Sequence, residues 1–268
     1  MTIIFETSYS LPSGDEPLTH ARIAHANNWL SGGTITASTT ETGYFPAAPT
    51  TSLTYERWKP TAATGTWEYE HTAPAECDYA CLAAHNLGTS GSTIKAQYWN
   101  GSSWADLCAA TAITDDSPIM IIFEPVTTTR WRINITAGTD APEIGVIKFG
   151  AALQMQQAIY GGHSPIHFAR ENVLRSNRSD NGEYLGRTEQ RSYFQNTYSW
   201  THLKADWIRT NWPPFQKAIE QDAFWIAWRP GDYGEVGFGH VETIPVPSNM
   251  GVKNYMQVEM TVRARGYD

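Results

Sequence analysis

His85 stands inside "CLAAHNLGTSGSTIKAQYWNGSSW", residues 81–104, between an alanine-rich apolar run and a glycine-rich turn. It could serve as a catalytic base, a metal ligand or an architectural residue. The apolar run before it and the Asn86-Leu87-Gly88 turn after it describe a strand entering a corner. There an imidazole hydrogen-bonds backbone, so the architectural role is expected; catalysis and metal binding are the alternatives. His163 and His167 are four apart, but Ser164 stands where a zinc protease helix needs glutamate and Pro165 lies between them. Glu68 and Glu70 would share one face of a strand, whereas glycosidase carboxylates must flank the scissile bond. No G-x-S-x-G nucleophile elbow occurs. Gly231, Gly234, Gly237 and Gly239 lack the lysine of a phosphate loop and read as a turn and a strand with close backbone approach. Cys77, Cys81 and Cys108 are odd in number and lack zinc-site spacing, so buried thiols in a reducing cytoplasm are expected. No catalytic, cofactor-binding or metal-ligating residue is assigned, and the chain is read as a non-enzyme.

The elements around these residues are mostly strands. Of 268 residues, 41% are hydrophobic and only 17% charged, with 11 Trp and 13 Tyr, a balance suited to β structure with wide polar faces. "GGTITAST", "TSLTYERW", "GTWEYEHT" and "STIKAQYW" are short β-branched or aromatic runs between turn clusters, and Asn100-Gly101 signals a hairpin. "SPIMIIFEPV" reads as a strand covered on both faces, and "RWRINITA" and "PEIGVIKFGAALQM" close the block. Such spacing suggests a β-sandwich or jelly roll. "QQAIYGGHSPIHFAR", residues 156–170, reads as a connection. Beyond it come two strands around Asn181-Gly182, one helix at about 210–222 with Pro213 and Pro214 in its first turn, a hairpin, and a long alternating final strand. The expected organisation is a β-sandwich over 1–155 and a β-barrel-like domain with one packed helix over 156–268.

Charge divides the same way. Residues 1–155 hold 7 Lys/Arg against 15 Asp/Glu, a net of −8, and residues 156–268 hold 12 against 12. An acidic first half makes nucleic acid an unsuitable partner. No apolar run approaches the roughly 18–20 residues of a bilayer span, and the N-terminus lacks the basic region of a signal peptide. Arg170, Arg175, Arg178, Arg187 and Arg191 occur without a lysine in 22 residues. Solvated hairpin charges are one reading; the other places Arg175, Arg178, Arg187 and Arg191 at a subunit interface, where guanidinium forks pair with carboxylates.

The strand ending in "AHNLG", the strand "KAQYW", and "TTRWRINIT" before "EIGVIKFG" resemble the galactose-binding-like, discoidin-type jelly roll, with "ARIAHANNWLSGGTITAST" and "GYFPAAPTTSLTYERWKP" similar to its opening region. The likeness covers about 15–155. "VLRSNRSDNGEYLGRT", "WPPFQKAIEQDAFWIAWRP" and the final strand, over about 165–268, resemble minor tail proteins of long-tailed bacteriophages, the distal tail protein or another tail-tip component being the nearest. The resemblance implies a virion protein of the tail tip or baseplate, made in the host cytoplasm. It would form a ring with itself, a hexamer or trimer, contact tail tube and hub proteins, and display the sandwich towards a host surface glycan. No cofactor, nucleic acid or membrane insertion is implied. If sugar binds, Trp29, Tyr44, Trp99 and Trp104 are the loop aromatics on which its apolar face would stack. The alternative is a non-viral, lectin-like carbohydrate-binding protein, with a glycan-active enzyme a distant third.

Overall fold

The computed structural model describes residues 2–25, 32–159, 161–251 and 253–265. Its elements begin with β1 (Thr2–Phe5), β2 (Arg22–Ala24), β3 (Thr34–Ala37), β4 (Gly65–His85), β5 (Thr93–Trp99), β6 (Trp104–Asp106), β7 (Thr111–Ala112) and β8 (Ile119–Ala137). There follow β9 (Ile144–Gly150), β10 (Leu153–Gln154), β11 (Arg170–Arg178), β12 (Tyr184–Lys204) and the helix α1 (Ala205–Ile219). The chain finishes with β13 (Phe224–Ala227), β14 (Val236–Val241), β15 (Ser248–Asn249) and β16 (Tyr255–Arg265).

The strands form two eight-stranded sheets and a sandwich-like, mostly β fold. In the first, the 21-residue β4 and the 19-residue β8 are antiparallel neighbours along almost their whole length. One half of this pair is flanked by β3 and β5, the other by β9 and β1. Register shifts between Glu70 and Ala75 and between Cys77 and Tyr79 interrupt the ladder midway. Such bulges bend long strands, and one apolar core gathers Trp67 and Tyr69 from one half with Ala80, Leu82, Ile119 and Ile147 from the other.

The second sheet runs β10-β2-β13-β14-β16-β12-β11. All strands of the first sheet lie before residue 155; β2 and β10 lie before it as well, but pair into the second. The path is open, ending in β10 and β11, so the described residues contain no closed barrel. Alternation along β13 places Trp225 and Ala227 against Tyr79, Cys81, Ala83 and Met120 of the first sheet. Phe224 and Ile226 point the other way, into a core with α1. The β4–β8–β9 region is thereby covered on both faces, which is why Ile119–Phe123 is an uninterrupted buried run. Trp225 Nε1 donates to the Leu82 carbonyl at 3.1 Å across this contact.

Three sequence expectations are revised. α1 begins at Ala205, not near 210, so Pro213 and Pro214 lie inside the helix rather than in its first turn. Both are exposed, where water can take the carbonyls they leave free, while Ile208, Trp212, Phe215 and Ile219 anchor the buried side. "TSLTYERW" forms no strand beyond an isolated bridge, Trp58 to Ile144; its Thr51, Tyr55, Glu56 and Arg57 line a cleft instead. The final strand β16, whose long alternation suggests a strand with an open edge, lies inside the sheet: β12 runs along one side, and β14 and β15 pair with residues 262–264 and 256–257 on the other. Close backbone approach does occur at Gly239, where a Cβ would come 2.3 Å from the Arg263 carbonyl oxygen. Cys77, Cys81 and Cys108 are buried free thiols, and burial pushes all three thiol pKa values up.

Where the chain crosses between sheets, Asp78 Oδ1 accepts the Ala152 N–H at 2.8 Å, beside the buried Arg22 of β2. Burial raises the Asp78 pKa to about 7, against the downward pull of that N–H and of Arg22. The native state thus holds a proton that the unfolded chain, titrating near 3.8, has released. Stability contributed by this group is present at acid pH and is lost as pH rises through about 7. Asp78→Asn keeps an acceptor without the charge, so parent stability should fall relative to the variant between about pH 4 and 8, measured by denaturant unfolding. Parallel pH profiles would show that Asp78 is already ionised at acid pH.

Candidate functional site

The residues between β3 and β4 and the start of β9 enclose an open cleft of about 780 Å³. Its wall is a rigid loop. A 3-10 turn at Ala48–Thr50 begins with Ala48 and Pro49 buried. Thr50 and Thr51 hydroxyls donate to the Ala47 and Ala48 carbonyls, at 2.8 and 3.2 Å. Trp67 Nε1, from the core, donates to the Pro46 carbonyl at 2.7 Å. The loop consequently holds aromatic rings outward: Phe45 is 68% and Tyr55 75% exposed, and both line the cleft.

Glu143 is the polar centre. Its Oε1 accepts the Tyr44 hydroxyl at 2.8 Å, and its Oε2 accepts Arg57 Nη1 at 3.0 Å. Lys59 Nζ lies 3.2 Å from Glu41 and 3.7 Å from Glu143. Burial pushes the Glu143 pKa up, but the Tyr44 and Arg57 hydrogen bonds outweigh it and hold the carboxyl below its ordinary value. It is a fixed anion, unsuited to donate a proton near neutral pH.

The His85 corner positions this anion. Asn86 Oδ1 accepts the Glu143 N–H at 2.6 Å, and the Asn86 N–H donates to the Glu143 carbonyl at 3.2 Å. His85 itself pairs with Ile144 in the β4–β9 ladder, and its Nδ1 accepts the Leu87 N–H at 3.4 Å. Burial lowers its pKa to about 4, against the upward pull of Asp116. A neutral imidazole accepting a backbone N–H is part of the corner.

Of the sequence-derived aromatics, Tyr44 lies in the cleft and Trp29 lies outside the described residues. Trp99 and Trp104 face each other across the β5–β6 hairpin, edge to face at 5.6 Å, and do not line the cleft. Guanidiniums occupy their faces: Arg130 is 5.1 Å from the Trp99 ring, and Arg132 is 4.2 Å from that of Trp104. Glu68 bridges the two arginines, at 3.5 and 3.4 Å, and Glu70 approaches Arg130 at 3.8 Å. These carboxylates therefore serve an Arg–Trp ladder. His167 Nδ1 pairs with Glu235 at 3.2 Å, and the His163 ring packs edge-on against Trp228 at 4.7 Å. Arg175, Arg178, Arg187 and Arg191 all lie on the exposed β11–β12 hairpin.

Sequence reasoning missed Phe45, Tyr55, Arg57 and Glu143. The available signal was the aromatic pair in the proline- and threonine-rich "YFPAAPTTSLTYERW", of which only "TSLTYERW" reads as a strand. Glu143 gave none, because it joins Arg57 from 86 residues away.

No family model matches the chain, and no curated protein does. Among solved structures, a pectin-binding carbohydrate-binding module is 18% identical over 43% of this chain and 88% of its own, with a TM-score of 0.38. The family 32 carbohydrate-binding module of C. perfringens NanJ in complex with galactose is 11% identical over 47% and 98%, with a TM-score of 0.41. A putative alpha-L-fucosidase from Bacteroides thetaiotaomicron is 15% identical over 48% of this chain but 29% of its own, with a TM-score of 0.42.

His85→Ala removes the acceptor for the Leu87 N–H and should cost roughly 1–2 kcal/mol near neutral pH. Because the native pKa of about 4 lies below the unfolded 6.5, the parent loses His85-linked stability as pH falls through that window. The gap between parent and variant should narrow between about pH 7.5 and 4.5 in urea unfolding. A gap that widens on acidification would mean the native imidazole is protonated.

Proposed function

We propose that this chain is a non-catalytic glycan-binding protein built into a larger assembly. The observation that carries the binding role is the cleft: two rings held in water by a rigid loop, beside a Tyr44–Glu143–Arg57 cluster fixed from the opposite side. Exposing such rings has a hydrophobic cost that a ligand with flat apolar faces removes. Sugars combine those faces with hydroxyl rims, and Glu143, Arg57 and Glu56 offer acceptors and donors at the right place. Glu143 is held anionic by its partners, and Glu68 and Glu70 are engaged by arginines, so neither group supplies the acid and base of a glycosidase.

The assembly role is favoured by a separate feature, the β11–β12 hairpin, which has no buried residue from Arg170 to Ser192. Self-association through this element fits a structural subunit of a phage tail tip or baseplate. The second sheet would form a ring, and the first would face outward with its cleft towards host glycans. A lectin-like protein outside any virion shares the cleft but needs no closed ring. Negative-stain images of the purified chain separate the two, since the tail reading requires closed rings.

On a glycan array the parent should bind at least one class of neutral oligosaccharide. Phe45→Ala with Tyr55→Ala should weaken that binding by about tenfold or more, the equivalent of losing roughly 1.4 kcal/mol of ring contact. Trp99→Phe should leave it unchanged. Unaltered affinity in the double variant would remove the cleft from consideration, and a silent array would end the glycan reading.

A further inference from the structure

The β11–β12 hairpin is a ribbon with four wet sides. β12 pairs with β16 only from Tyr193 onward, so between Tyr184 and Ser192 its far edge is open, as is the outer edge of β11 over nine residues. Leu174, Tyr184 and Leu185 are 41%, 64% and 63% exposed. At about 3.3 Å per residue the ribbon reaches roughly 25–30 Å from the body. A two-stranded ribbon without a covering layer is marginal in water, and open edges are templates for another chain.

Its charge indicates what that chain offers. Arg175, Arg178 and Arg191 have no acidic partner among the described residues, and Arg187 donates only to the Ser176 hydroxyl at 3.0 Å. The first half is the reverse. Its seven basic side chains are all engaged internally: Arg57, Lys59, Lys95, Arg130, Arg132 and Lys148 in ion pairs, and Arg22 buried on the Glu16 carbonyl. The exposed carboxylates of Glu56, Glu76, Glu124 and Asp140 have no lysine or arginine partner among the described residues. One molecule thus carries unpaired arginines on a projecting arm and unpaired carboxylates on its sandwich.

We propose that the arm docks on a second copy of this chain, its arginines received by carboxylates of the sandwich spanning residues 2–155. This deepens the assembly reading and rests on it. The contact is head-to-tail, so each copy both gives and receives an arm, and the array closes into a ring when the rotation allows. Being charge-assisted and near the surface, it weakens as salt shortens the screening length.

The experiment uses the full chain. Light scattering at low salt should give an oligomer that dissociates as salt is raised. Replacing 173–191 by Asn-Gly, which joins the facing residues Asn172 and Ser192, should give a monomer whose circular dichroism melt matches that of the parent dissociated at high salt. In a second variant Arg175, Arg178, Arg187 and Arg191 become lysines, and equal parts of isotope-labelled and unlabelled protein are treated with a zero-length carbodiimide. Mixed-isotope links should join arm lysines to carboxylates within 2–155. An oligomer that survives arm removal, or links confined to residues after 155, would overturn the arm while leaving assembly standing. A monomeric parent would overturn both.

Discussion

The fold depends on burying one stretch of sheet from both sides. The half of β4 and β8 beyond their bulges meets the sandwich core with Ala80 and Leu82, and the second sheet with Tyr79, Cys81 and Ala83. Strands covered in this way cannot alternate polar and apolar residues, and every backbone group must be satisfied within the protein. Trp225 serves both demands, filling the contact with its ring beside Phe238 at 4.5 Å and reaching the Leu82 carbonyl with its N–H. Buried polar groups lie at its margins. Asp78 holds Ala152, and the buried Lys148 meets Asp222 at 3.5 Å and Ser52 at 3.2 Å.

The same strand end that closes this core builds the cleft. β4 finishes at His85, and the next residue brackets the Glu143 backbone just before β9 begins. Position of the polar cluster is thereby inherited from the buried β4–β9 ladder, while the aromatic wall comes from a loop braced by prolines and threonine hydroxyls. Binding sites gain from this arrangement, because ordering costs are met in folding rather than on ligand arrival. The Trp99–Trp104 face shows the contrast. Its rings are as aromatic as those of the cleft, but their π faces already hold guanidiniums, so stacking there would first displace a cation.

The hairpin is the one long element that follows neither rule. It buries nothing, although the helix and sheet at its base are packed closely around Trp200, Trp212 and Phe215. Its conformation within a single chain is supported by little more than its own ladder and side-chain bonds such as Ser192 to Asn172. Two-stranded ribbons built this way are marginal on their own in water.

Most of the β content was legible in the sequence, because alternation, turn residues and composition are local signals. β5 and its Asn100-Gly101 hairpin, β9, β13, β14 and β16 all follow from such signals, and so does the corner at His85. The doubly covered β8 was legible too, since an unbroken apolar run has few other uses. The sequence could not indicate that Arg22–Ala24 would cross to the second sheet, nor that Pro213 and Pro214 would be carried inside a helix anchored by distant cores. Its arginine cluster was visible, but its isolation on an uncovered ribbon was not. Least visible was the cleft. Tyr44, Arg57 and Glu143 converge only because β9 returns beside β4, and pairing between segments so far apart is decided by packing and ladder geometry that no local window of sequence contains.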